Sequence, residues 1–202
     1  MSQTNKILNN KLAKLKLAIL VHEGGTQTNL KTIKKAIDEG RINAEISVII
    51  SDREKPMPIL EQISPDYICL AGWMKIIPDE MIKKYEDRIL NLHPGLIPNT
   101  MDSVALNPDG TNGLWNKGLY GEKAIQNFLD NKSTFAGSSV HFLTLDFDFG
   151  PVLGRIFEKV KSEDTVESLY ARLKVKENEL YVQVLEKLTS RVSNTRCLTE
   201  DV

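Results

Sequence analysis

The chain has 202 residues, is 41% hydrophobic, and sets 26 Lys and Arg against 27 Asp and Glu for a formal net charge of -1. That length suits one compact domain with a sizeable core, and the balanced charge lacks the global basic field of a nucleic-acid binder. Cys69 and Cys197 lie far apart without metal-ligand spacing, which suits a reduced cytoplasmic protein with no metal site, and no apolar run reaches the length of a membrane span.

Residues 1–14, rich in Asn, Lys and Gln, read as a flexible N-terminal arm. Residues 17–21 form an unbroken apolar run, suited to a central parallel strand buried on both faces. His22-Glu23-Gly24-Gly25-Thr26-Gln27-Thr28-Asn29 follows, and then Leu30, Ile33 and Ala36 at helical spacing. Thr26, Thr28 and Asn29 are the candidate helix caps. The free amides at such a helix start either simply begin the helix or hold an anion.

Residues 44–51 read as a second strand and 59–63 as a short helix broken by Ser64-Pro65. Residues 67–71 are the third strand. The apolar loop 72–78 after it is either packed under a helix or the wall of a ligand site. A helix over 78–85 leads to a strand that ends at His93, because Pro94 has no N–H for the ladder. Alternation puts Asn91 and His93 on one face, at the sheet edge where α/β proteins bind ligands. A lone His there is as often a solvent-edge residue as a catalytic one. The carboxamide beside it suits chemistry that builds negative charge on a carbonyl oxygen.

A long loop spans 99–120, long enough to be mobile or functional. Helical spacing resumes over 121–131, and strand-like runs follow at 137–145 and 151–161. Between them Asp146-Phe147-Asp148-Phe149-Gly150 forms a turn whose Asp146 reads as a solvated tip residue. A helix over 165–188, capped by Ser162 or Asp164, precedes a tail at 189–202. The pattern predicts an α/β domain over 15–188: a Rossmann-like open, mostly parallel sheet with flanking helices and a C-terminal antiparallel hairpin.

Together, Asn91-Leu92-His93-Pro94-Gly95-Leu96-Ile97-Pro98, Gly137-Ser138-Ser139-Val140-His141-Phe142 and Asp148-Phe149-Gly150-Pro151-Val152 resemble the folate-dependent formyltransferases. Within that family the chain is most similar to the branch that formylates glycinamide ribonucleotide (GAR) in purine biosynthesis. The resemblance spans about residues 15–188 and implies the formyltransferase fold. It implies 10-formyltetrahydrofolate as co-substrate, no metal, and no nucleic-acid or membrane partner, in a monomer or homodimer. Catalysis would fall to Asn91, His93 and Asp148, with Asp148 favouring a charged imidazole. The phosphate and the rest of GAR would lie on Gly25, Gln27, Thr28, Asn29 and Glu177. The folate would lie on Met74, Lys75, Ile76, Ile77, Leu143, Thr144 and Asp148. His141, within an apolar strand, reads as structural.

Three departures stand out. Gln27 replaces the family's usual second glycine, Lys75 stands where Arg is common, and the 99–117 insert with Trp115 is longer than usual, forming either a lid or a changed acceptor site. The alternatives are a formyltransferase for another amine, such as an amino-sugar nucleotide, and a non-catalytic folate- or nucleotide-binding module. Relatives that act on sugar nucleotides or aminoacyl-tRNA usually carry a C-terminal domain, and formyltetrahydrofolate hydrolases an N-terminal one. A chain of 202 residues is expected to hold neither.

Overall fold

A computed structural model describes residues 14–197, with side chains described as far as Ser190. Apart from Lys14, the expected N-terminal arm lies outside the described residues. The chain runs β1 (Leu15–Val21), α1 (Thr28–Asp38), β2 (Ala44–Ser51), α2 (Pro56–Ile63), β3 (Tyr67–Ala71), α3 (Asp79–Lys84), β4 (Ile89–His93), α4 (Gly121–Asp130), β5 (Phe135–Phe142), β6 (Val152–Lys159) and α5 (Val166–Cys197).

The six strands form one sheet in the order β2-β1-β3-β4-β5-β6. The first four are parallel, and β5 and β6 close the sheet as an antiparallel pair. This is the expected open, mostly parallel sheet with its C-terminal hairpin. Alternation within β1 explains its central place: Leu15, Leu17, Ile19 and Val21 pack with Leu30 and Ile33 of α1 and Leu185 of α5. Ala18 and Leu20 face the other way, onto Leu60 of α2 and Met81 of α3. Apart from the exposed Lys16, the strand is apolar and buried on both sides. A third cluster joins Ile125 and Phe128 of α4 to Leu169 and Leu173 of α5.

Boundaries differ from expectation where local chemistry decides them. The second helix begins at Pro56 rather than at residue 59, with proline in its first turn, where the missing N–H costs nothing. The last helix runs past residue 188 to Cys197, since no Gly or Pro interrupts that stretch. The first helix starts at Thr28 with Gln27 as its N-cap, and no side chain caps it. Thr26, Thr28 and Asn29 therefore do not act as caps.

Candidate active site

The last turn of β4 places Asn91 and His93, and the pairing of β4 with β5 sets Asn91 opposite His141. His141 is fully buried. Its Nδ1 lies 2.9 Å from the Phe142 carbonyl, and its Nε2 lies 3.3 Å from Asn91 Nδ2. Nδ1–H therefore donates to the carbonyl, and Nε2 accepts one amide N–H of Asn91. Burial, aided by the neighbouring His93, pushes His141 down to about 4, so this acceptor stays neutral. The expected structural role of His141 thus has a specific content: it fixes the Asn91 carboxamide.

His93 is only 2% exposed. Its Nε2–H donates to the Trp115 carbonyl at 2.7 Å, which leaves Nδ1 3.7 Å from Asp148 Oδ1. The β5–β6 connection delivers Asp148, which holds the left-handed conformation at φ 49°. The other carboxylate oxygen of Asp148 accepts the Gly118 N–H at 2.8 Å, and its own carbonyl accepts the Trp115 indole N–H at 2.8 Å. Burial sets the direction for His93, below its ordinary value, and Asp148, the Trp115 carbonyl and Glu177 oppose it. The carboxylate does favour the charged form, as expected. Burial outweighs it, and the imidazole rests neutral near pH 7.

Two cavities meet over β4. One, of about 450 Å³, is lined by Asn29, Asn91, Lys123, Tyr170, Lys174 and Glu177 among others. The second, of about 370 Å³, is walled by Met74, Lys75, Ile76, Ile77, Leu143 and Thr144 and reaches His93 and Asp148. Trp73, Met74, Asn91, Leu92, Pro94 and Tyr120 line both. The structure thus gathers every residue expected to meet the folate into one wall. Lys75 is tied back through its ammonium to the Asp52 carbonyl.

Glu177 is buried on α5, accepts the Ser138 hydroxyl at 2.7 Å and faces Lys174 Nζ at 3.2 Å. Lys174, Lys123 and Tyr170 went unnoticed in the sequence. The spacing of Lys174 and Glu177, one helical turn apart, was the signal for the first of them. Of the expected anion loop, only Asn29 lines the larger cavity; Gly25, Gln27 and Thr28 lie beside it in sequence without lining it. The Thr28 hydroxyl and the Asn29 side-chain oxygen are buried without a hydrogen-bond partner, at a helix start that no side chain caps.

A family model described as formyl transferase matches residues 57–185, a span that includes Asn91, His93, Asp148 and Glu177. The chain belongs to the formyl transferase family. Within this family it is 28% identical to a chloroplastic phosphoribosylglycinamide formyltransferase of Vigna unguiculata, over 86% of this chain and 60% of the relative. It is 27% identical to the Arabidopsis thaliana enzyme of the same name, over 84% of this chain and 64% of the relative. The chain thus spans under two thirds of the length of these two relatives. The crystal structure of glycinamide ribonucleotide transformylase 1 from Symbiobacterium toebii superposes with a TM-score of 0.73 at 25% identity, covering 94% of this chain and 93% of that one. The matched family span leaves out the loop at 25–29, where Gln27 departs from the usual glycine.

Proposed function

We propose that the chain transfers the formyl group of 10-formyltetrahydrofolate to the amine of GAR, in purine biosynthesis. The observation that carries this reading is the meeting of two cavities over Asn91, with the His93–Asp148 pair lining the second of them. The larger offers ammonium and carboxylate groups and the start of α1, which suits a phosphorylated amine. Thr28 and Asn29, with unpaired polar atoms at that helix start, are the side chains we assign to the phosphate. The smaller cavity, walled by Met74, Ile76, Ile77 and Leu143 among others, suits the folate ring system.

In the reaction the acceptor's amine nitrogen forms a bond to the formyl carbon, and the bond from that carbon to the folate nitrogen breaks. The proton lost by the amine balances the one gained by the folate nitrogen. Charge builds on the formyl oxygen in between. Asn91 retains one amide N–H beyond the one spent on His141, and this donor is fixed before the reaction begins. His93, neutral at rest, has its lone pair on Nδ1. A proton taken there faces Asp148 Oδ1 at 3.7 Å, which stabilises the imidazolium where water is excluded.

We also read the chain as cytoplasmic, on the free thiol of the buried Cys69. No helix among the described residues is long and apolar enough to cross a membrane. Incubating the purified chain with GAR and 10-formyltetrahydrofolate should yield formyl-GAR and tetrahydrofolate, read by mass spectrometry. Turnover of another amine but not of GAR would refute the acceptor, and folate binding without transfer to any amine would refute the catalysis.

A further inference from the structure

We propose that Trp115, supplied by the insert, is a positioning residue for both halves of the His93–Asp148 pair. Its carbonyl sets the imidazole's tautomer, and its indole N–H anchors the segment that carries the carboxylate. The proposal deepens the formyl-transfer reading and rests on it for its kinetic consequence.

The two bonds leave one residue at opposite ends. The carbonyl accepts His93 Nε2–H at 2.7 Å, and indole Nε1–H donates to the Asp148 carbonyl at 2.8 Å. A main-chain carbonyl can only accept, so Nε2 must carry a proton, and in the neutral ring Nδ1 then holds the lone pair. Nδ1 is the atom that faces Asp148. One residue therefore selects the working nitrogen of the base and sets the place of its charge partner.

The surroundings are arranged around this contact. A Cβ at Gly95 would overlap the Trp115 carbonyl oxygen and come 2.9 Å from His93 Nε2, so the glycine is what lets the carbonyl approach. The next residue, Asn116, holds the left-handed conformation at φ 57°. Its side-chain amide donates to the Pro94 and Ala124 carbonyls at 2.8 and 3.2 Å and accepts from Asn127 at 2.8 Å. The indole packs against Phe149, one residue beyond Asp148, with ring centroids 5.8 Å apart. The Lys117 ammonium lies over the ring, 4.8 Å from its centroid. The loop is thus fastened on both sides of Trp115.

The test uses the full chain labelled with 15N-histidine, whose three imidazoles are read by NMR, together with steady-state kinetics. Wild-type His93 should show the Nε2–H tautomer. Trp115→Phe keeps the carbonyl and the ring but loses the indole N–H. It should retain that tautomer while kcat falls about tenfold or more, with both KM values within about twofold, because only the carboxylate's alignment is lost. Gly95→Ala should displace the carbonyl, mix the tautomers and move the pH profile of kcat upward, as His93 regains water. The charged or titratable groups facing His93 are Asp148 from the hairpin, Glu177 from α5 and His141 from β5, and none is altered by either substitution. An unchanged kcat and pH profile in both folded variants would overturn the proposal. So would a rise in KM that accounts for the whole loss, or a wild-type imidazole protonated on Nδ1 alone. The tautomer is read without substrate, so a wild-type chain inactive toward GAR would sink the proposed reaction and still leave the Trp115 contact tested.

Discussion

Gln27 holds φ 52° and ψ 31° at the entrance to α1, and its side chain makes no capping bond there. An L-residue in that region carries a steric cost of about 1–2 kcal/mol, from its Cβ against the following carbonyl. Glycine has no such cost, though it gives back about 0.4–1 kcal/mol through the greater freedom of the unfolded chain. Gln27→Gly should therefore stabilise the fold by about 0.5–1 kcal/mol, a rise of about 1–4 °C in Tm for a chain of this size. Gln27→Ala keeps the Cβ and should leave stability within about 0.5 kcal/mol of wild type. Urea unfolding of the three proteins in parallel checks this, as a shift of midpoint at constant slope. If the Gly and Ala variants unfold at the same midpoint, or the Gly variant unfolds first, the strain ascribed to Gln27 is not there.

Asp148→Asn keeps an oxygen to accept the Gly118 N–H but removes the charge that faces His93. It should lower kcat by about 10²–10⁴-fold while leaving folate affinity, measured by fluorescence titration, within about twofold. Glu177→Gln removes the charge beside Lys174 and should raise the KM for GAR about tenfold with little change in the KM for folate, as initial rates would show. His141 has a folded-state value of about 4, against an ordinary 6.5, so the unfolded chain takes up its proton first as the pH falls. Its contribution is complete above pH 6.5 and is lost progressively toward pH 4, about 3 kcal/mol in all and about 2 kcal/mol by pH 5. Urea midpoints at pH 7 and pH 5 should show that loss in the wild type and a smaller one in His141→Asn.

What could be read from the sequence was what local pattern determines. Residues 17–21, apolar at every position, suit a doubly buried strand, and the order of strands and helices follows from runs of that kind. Pro94 fixed the end of β4, and the two-residue period put Asn91 and His93 together. Asp148 was different: nothing in its hairpin turn says which face of the molecule it meets, and only its conjunction with the two other motifs tied it to His93. The misplaced caps at α1 have a simple cause. Hydroxyl and carboxamide side chains were weighed for capping, whereas the backbone turns through a left-handed residue at Gln27, which propensity disfavours. Pattern within the last helix does not set Glu177 apart from its charged neighbours, because the Ser138 hydroxyl that donates to it comes from β5.

The charge state of His93 was the least legible feature, and it bears most on mechanism. A histidine beside a carboxylate is ordinarily read as an imidazolium, and an imidazolium has no lone pair with which to take the amine's proton. Burial changes the balance. It lowers the proton affinity at rest, and the Trp115 carbonyl is an acceptor that a neutral Nε2–H can satisfy. Asp148 stays at 3.7 Å, beyond a hydrogen bond to the neutral ring yet near enough to act strongly in a medium of low dielectric. The two side chains are therefore not an ion pair before transfer and become one during it, and a base is needed only in that interval. An interaction that grows along the reaction coordinate lowers the barrier, whereas one fully formed at the outset would not. On this view burial beside the Trp115 carbonyl is what lets a histidine at a sheet edge act as a base.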